Sequence, residues 1–391
     1  MRTTSVLSTN RNPSTRIYPE RIPVHIASAV VSTKRLSKRI YPEGIRAGNA
    51  SAILSTKSLS KRIYPEGITA RSPGLAGRSR FDEGTATLGN PAPHYRNYPE
   101  RVAAVLMIAL LAHTIAHADQ PVTADTKPDR IDVSVAGSLF TSYKFAPTQK
   151  YPYFYPVNGP RSGKSVTTES SEPYPHHHSL FFGCDRVNGA NFWQDTNDKG
   201  QIVSQTPKIS ESTGTKIIIE DICLWRVPGN DPIMRDTRRI TIAAPEDNTR
   251  IIDFAITLEP LVDITIEKTN HSLFAARVAP ELAVTAGGTL VNAEGNQSEK
   301  GTYGVPSAWC NYSGTRDGIT EGIAIIQHPE NRWYPSKWFT RDYGFFSPTP
   351  MYWLENDRLQ LSKAQAFVLK YRVVVHAGMG DEARAHFSMV P

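Results

Sequence analysis

Cysteine is nearly absent: Cys184, Cys223 and Cys310 are the three in 391 residues, and no CxxC spacing occurs. That leaves no zinc–thiolate site and room for at most one disulfide, with a thiol left over. Long apolar runs are missing too. A membrane helix needs about 20 consecutive apolar residues, and beyond residue 118 no stretch supplies them. Helical periodicity is also lacking there, GDEARAHF near the C-terminus being the best short candidate. Histidine is scarce, 11 in all, so three in succession at His176, His177 and His178 need an explanation.

A net charge of +7 would suit a nucleic-acid or membrane-surface protein. The charge is unevenly shared, however. Residues 1–118 hold 17 Lys/Arg against 6 Asp/Glu, and the remainder 27 against 31. Most of the chain is mildly acidic, and nucleic-acid binding loses its support. RIYPE recurs at 16–20, 39–43 and 62–66, with NYPER at 97–101. These units are rich in Ser, Arg, Pro and Gly and have no apolar period, which predicts a disordered basic region over 1–100. Translated upstream repeat sequence, with the start placed too early, is one origin; a disordered tail is the other. Residues 101–118 read RVAAVLMIALLAHTIAHA, the layout of a signal peptide cleaved before Asp119. An uncleaved anchor is the alternative. Export to the periplasm or beyond is expected, with no integral membrane span after cleavage. Residues 119–391 suffice for one large domain.

That part reads as strands and turns. TKIIIEDICLWRV (215–227), RRITIA (238–243), 250–269, GIAIIQ (322–327) and AFVLKYRVVVH (366–376) are rich in β-branched and aromatic residues, several alternating with period two. PGNDP (228–232), PEDN (245–248) and AGG (286–288) mark turns between them. The expected fold is all-β, a large antiparallel β-sandwich with few short helices. Segments 144–175 and 328–353, rich in Tyr, Pro and Trp, read as long loops suited to binding.

Seven polar–aromatic clusters follow one another: PHHHSLFFG (175–183), VNGANFW (187–193), RDTRRITI (235–242), KTNHSLFAARV (268–278), WCNYSG (309–314), HPENRW (328–333) and WFTRDYGFFSPTP (338–350). Aromatic faces with Asn, Arg and His suit a carbohydrate, which offers an apolar C–H face and a ring of hydroxyls. Any one cluster reads better as core aromatics and surface loops; seven in one β domain weaken that reading without removing it.

In this order, PHHHSLFFG, VNGANFW, KTNHSLFAAR, WCNYSG, HPENRW and RDYGFF resemble the secreted bacterial family of unknown function labelled "methane oxygenase PmoA-like", over about residues 130–388. The resemblance implies a sandwich like the galactose-mutarotase super-sandwich and no settled reaction. Where that family often reads His-Pro-His-His, this chain has Tyr174-Pro175-His176-His177, so His178 falls at a variable position. A literal membrane oxygenase subunit is rejected, because the spans it needs are missing.

Three readings stay open. The first is a carbohydrate-active enzyme of epimerase, lyase or hydrolase type, without cofactor, acting on a small or polymeric sugar. His176, His177, His271 and His328 are its acid–base candidates, and Glu330 or Asp342 a carboxylate base. Arg238, Arg277 and Arg341 would hold hydroxyls or an anionic sugar, with Asn188, Asn191 and Asn311 as further polar contacts and Trp193, Trp309 and Tyr343 as stacking surfaces. The second is a divalent metal on His176, His178, His271 and His328, the first two sharing one face of a strand. The third is a non-catalytic carbohydrate-binding or envelope protein. For each residue a structural role competes: His271 as a turn cap, Arg277 as an ion-pair partner within the sheet.

Overall fold

Along Lys216–Arg226, Met234–Glu246 and Thr249–Pro260 nearly every second side chain is buried. Successive side chains of a strand point to opposite faces, so this pattern presses one face of the sheet into a core. The structure is a computed structural model that describes residues 119–389. The basic repeat region 1–100 and the signal-like segment 101–118 lie outside the described residues.

Two antiparallel sheets form the sandwich expected from the sequence. The eight-stranded sheet starts at Val122–Thr126, Arg130–Val135, Ser138–Lys144 and Tyr153–Val157. It continues through Leu180–Cys184, Ser272–Arg277 and Phe345–Pro348 and ends at Trp338–Arg341. The nine-stranded sheet has Ile319–Gln327, Phe367–Ala377, Thr249–Pro260, Met234–Glu246 and Lys216–Arg226 side by side at its centre. Their inner faces meet in a ladder of rings. Phe182 stacks on Phe254, Phe254 on Phe274 at 5.0 Å, and Phe274 on Tyr371 at 4.8 Å.

Among the described residues, helix is confined to Ser298–Thr302 and a few 3-10 turns, one of them Glu382–His386 within GDEARAHF. Cys184, Cys223 and Cys310 are buried and unpaired. No helix among the described residues is long and apolar enough to cross a membrane.

Three local expectations need correction. Segment 250–269 is two strands, Thr249–Pro260 and Ile264–Glu267; Pro260 ends the first, and the second pairs instead with Arg358–Leu361. Segment 144–175 contains the strand Tyr153–Val157. Segment 328–353 contains Trp338–Arg341 and Phe345–Pro348, which carry the border of the eight-stranded sheet. These aromatic runs are buried on both faces, so the alternation that betrays a strand is missing from them.

Candidate functional site

Directly paired residues of antiparallel strands project to the same face. Arg277 pairs with Phe345, and Phe345 with Arg341. Their neighbours Phe274 and Phe346 point into the core, so this row of three lies on the outer face of the eight-stranded sheet. Above it the chain from Tyr174 to His177 closes a tight turn, with the His177 N–H donating to the Tyr174 carbonyl at 3.1 Å. The turn and two members of the row, Phe345 and Arg341, enclose a cleft of about 250 Å³.

Three of the expected histidines meet there. His177 is 4 % exposed; its ring stacks on Phe345 at 4.4 Å and meets the His176 ring edge-on at 4.4 Å. Burial, then the neighbouring His176 and Arg277, push its pKa down to about 2. Burial, then His271 and His178, lower that of His176 to about 4. Both rings are therefore neutral near pH 7. His177 Nδ1 and His176 Nε2 are buried without a hydrogen-bond partner.

His271 enters from the other side, 5.9 Å from the His176 ring. Its Nδ1 lies 3.0 Å from Asp185 Oδ2. The pair is a product of strand register: Ser272 pairs with Cys184, so the residues flanking them, His271 and Asp185, leave two adjacent strand ends together. The Asp185 N–H also donates to the His271 carbonyl at 3.1 Å. In a neutral imidazole, a carboxylate that accepts from Nδ1–H selects the tautomer whose lone pair is on Nε2. Asp185 Oδ1 is buried and unpaired, as is the Trp193 indole N–H, whose ring lies 5.8 Å from that of His271.

The aromatic wall comes from Tyr174 stacked on Tyr343 at 5.0 Å. Burial, with Tyr174 beside it, raises the Tyr343 hydroxyl to about 12, so it is a neutral donor. Arg277 lies beneath, its guanidinium 4.2 Å from the Tyr343 ring centre. Arg341 sits over Phe339 and is bound to Glu299 at 2.8 Å.

Other residues named from the sequence are placed elsewhere. His328 shares a groove with Asp253 and Arg372, on the outer face of the nine-stranded sheet, where it caps the Glu330 N–H at 3.1 Å. The four histidines therefore do not form one set. Glu330 pairs with Lys370 and Asp342 accepts from the Glu299 N–H; neither lines the cleft. Arg238 is in the core, bound to Asp236. Asn188 closes a turn against Asp263 and Thr265, and Asn191 accepts from the N–H groups of Trp193 and Gln194. Trp309 packs on Phe387, and Asn311 Oδ1 accepts from His376 Nε2 at 2.7 Å on the far sheet. His178 turns to Ser170 and Tyr153. The metal set His176, His178, His271 and His328 is thus not assembled, and among the described residues no three His, Cys, Asp or Glu side chains are placed to hold an ion.

Sequence reasoning missed Asp185, Tyr174, Phe345, Gln194 and Asn270, all at or beside the cleft. Asp185 had one usable signal, an acid directly after the buried run Leu180–Cys184.

Residues 130–388 match the model of DUF6807, described as a family of unknown function. No curated protein matches the sequence significantly. Among solved structures, a galactose mutarotase related enzyme from Lactobacillus acidophilus is 8 % identical, over 66 % of this chain and 98 % of its own, with a TM-score of 0.30. The alpha-galactosidase from Lactobacillus brevis is 8 % identical over 66 % of this chain and 39 % of its own, with a TM-score of 0.30. The heparan sulfate lyase HepC from Pedobacter heparinus is 9 % identical over 72 % and 42 %, with a TM-score of 0.29. The chain thus spans under half the length of the last two, and likeness at this level assigns no chemistry.

Proposed function

Since the chain belongs to DUF6807, a family of unknown function, membership brings no reaction with it, and we propose from the cleft itself that the protein is a carbohydrate-active enzyme working by histidine acid–base chemistry. One observation carries this reading: three histidines converge on one aromatic-walled cleft, two of them with buried, unpartnered ring nitrogens. Buried polar atoms in folded proteins are nearly always hydrogen-bonded. A row of hydroxyls on a sugar ring would satisfy His176 and His177, while the stacked Tyr174 and Tyr343 present a surface to its C–H face.

In this reading His271 is the base. Asp185 orients it, holds the proton on Nδ1 and stabilises the imidazolium once Nε2 has taken a proton from the sugar. His177 and His176 stay neutral through the cycle and act as hydrogen-bond partners. The Tyr343 hydroxyl, kept protonated, can donate to a developing oxyanion. Epimerisation, elimination and glycosidic cleavage all pass through such a proton transfer, and product analysis separates them. Export, part of the same proposal, rests on the signal-like layout of residues 101–118.

The test is turnover on a panel of neutral and acidic mono- and disaccharides, with H271A and H177A alongside. H271A is expected to lower kcat by about 10²–10⁴ while sugar binding survives. Wild-type turnover in H271A would remove the acid–base reading. Binding without turnover in the native protein would leave a carbohydrate-binding module.

A further inference from the structure

Three arginines of the described residues have their side chains buried deeply enough to need an answer to their charge: Arg238, Arg250 and Arg277. Two have it. Arg238, 1 % exposed, is held by both oxygens of Asp236 at 2.8 and 3.1 Å. Arg250 donates to the carbonyls of Glu246, Asp247 and Thr249. Arg277 is 3 % exposed and has neither. Its Nε and Nη1 are buried without an acceptor, and among the described residues no carboxylate pairs with it. The Tyr343 ring face attracts the guanidinium but accepts none of its N–H bonds in the plane.

The surroundings sharpen the imbalance. The cleft lining contains no Asp or Glu. The nearby Arg341 already has Glu299, and Asp185 is engaged by His271. An arginine buried without counter-charge or acceptor is costly, and such cations are paired in nearly all proteins. Here nothing in the described protein supplies the partner, and the residue, though not itself among those lining the cleft, lies behind Tyr343, which is. From this geometry we propose that the ligand of the cleft is an acidic sugar, whose carboxylate or sulfate ester is the missing counter-ion of Arg277.

This inference rests on the sugar reading above and narrows it to a substrate class. The planar fork of Arg277 suits a two-oxygen anion. The neutral rings of His176 and His177 would then bind hydroxyls beside it without competing for the charge.

Isothermal titration of the full chain tests the proposal with glucuronate and galacturonate, their neutral parents glucose and galactose, a sulfated monosaccharide, and inorganic sulfate alone. The expected result is binding of the uronate or the sulfated sugar at least roughly tenfold tighter than the neutral parent, with added salt weakening only the acidic ligand. The uronate and sulfated arms separate the two sources of anion. R277Q should abolish the preference and R277K restore part of it. Because R277Q removes an unpaired buried cation, it should not lower Tm; should it fail to fold, the wild-type comparison decides alone. Equal affinity for neutral and acidic sugars overturns the inference and leaves the sugar reading intact. Binding of inorganic sulfate but of no sugar overturns both, as does binding of nothing on the panel.

Discussion

His177 and His376 give the protein a stability that depends on pH in a stated direction. Burial lowers His376 to about 4 and His177 to about 2. In the unfolded chain both titrate near 6.5. Above that value both states are neutral and nothing is lost. Below it the unfolded chain binds protons that the folded one refuses, so stability falls as pH drops, toward 4 for His376 and toward 2 for His177. Each group should cost about 2 kcal/mol between pH 7 and pH 5. Denaturant titrations at those two pH values should show the loss, and H376Q should flatten the slope. The His271–Asp185 pair makes a second residue-level prediction: nitrogen NMR should find the His271 proton on Nδ1, and D185A should let it move to Nε2. The histidines were recognisable in the sequence because runs of a scarce, titratable residue stand out. Asp185 was not, since one acid among 37 Asp and Glu carries no mark of its partner. His328 shows the converse: HPENRW has the same polar–aromatic character as the true cleft segments, yet faces the other side of the sandwich.

Among the elements, the turn between Trp338–Arg341 and Phe345–Pro348 positions the aromatic wall. Gly344 there has φ +105°, a conformation that favours glycine, and a Cβ would come 3.1 Å from the Val278 carbonyl oxygen. The Gly344 carbonyl also accepts from the Val278 N–H at 2.8 Å, tying the turn to the end of the Arg277 strand. G344A should therefore destabilise the protein by about 1–3 kcal/mol and, on the proposed reading, weaken sugar binding through its neighbour Tyr343, measurable by thermal melting and titration. Turn chemistry of this kind is visible in DYGFF. The strands beside it were not, because WFTR and FFSP are buried on both faces and show no period. Without those strands the row Arg277–Phe345–Arg341 could not be read, although two of its members had been picked out individually.

For the molecule as a whole, the ladder Phe182, Phe254, Phe274 and Tyr371 joins the two sheets. F254A removes its centre and should cost about 3–5 kcal/mol in chemical denaturation. The sandwich itself was readable from the long period-two strands, which survive as Lys216–Arg226, Met234–Glu246 and Phe367–Ala377. The resemblance carried by the ordered motifs extends over about residues 130–388, the same span as the family match. What could not be read was which motif lies on which sheet, since strand order joins Ser272–Arg277 to strands nearly a hundred residues before it and seventy after it. One feature of that order bears on motion. Trp338–Arg341 is the last strand of the eight-stranded sheet, so one wall of the cleft stands on a border whose outer side is met by a short bridge to Tyr303 and Val305 at Trp338 rather than by a full strand. Such borders open more readily than sheet interiors. Amide hydrogens of Phe339 and Arg341 should accordingly exchange with solvent faster than those of Phe274 and Ala275. An occupant of the cleft should slow them, so that hydrogen exchange reports occupancy before any reaction is known.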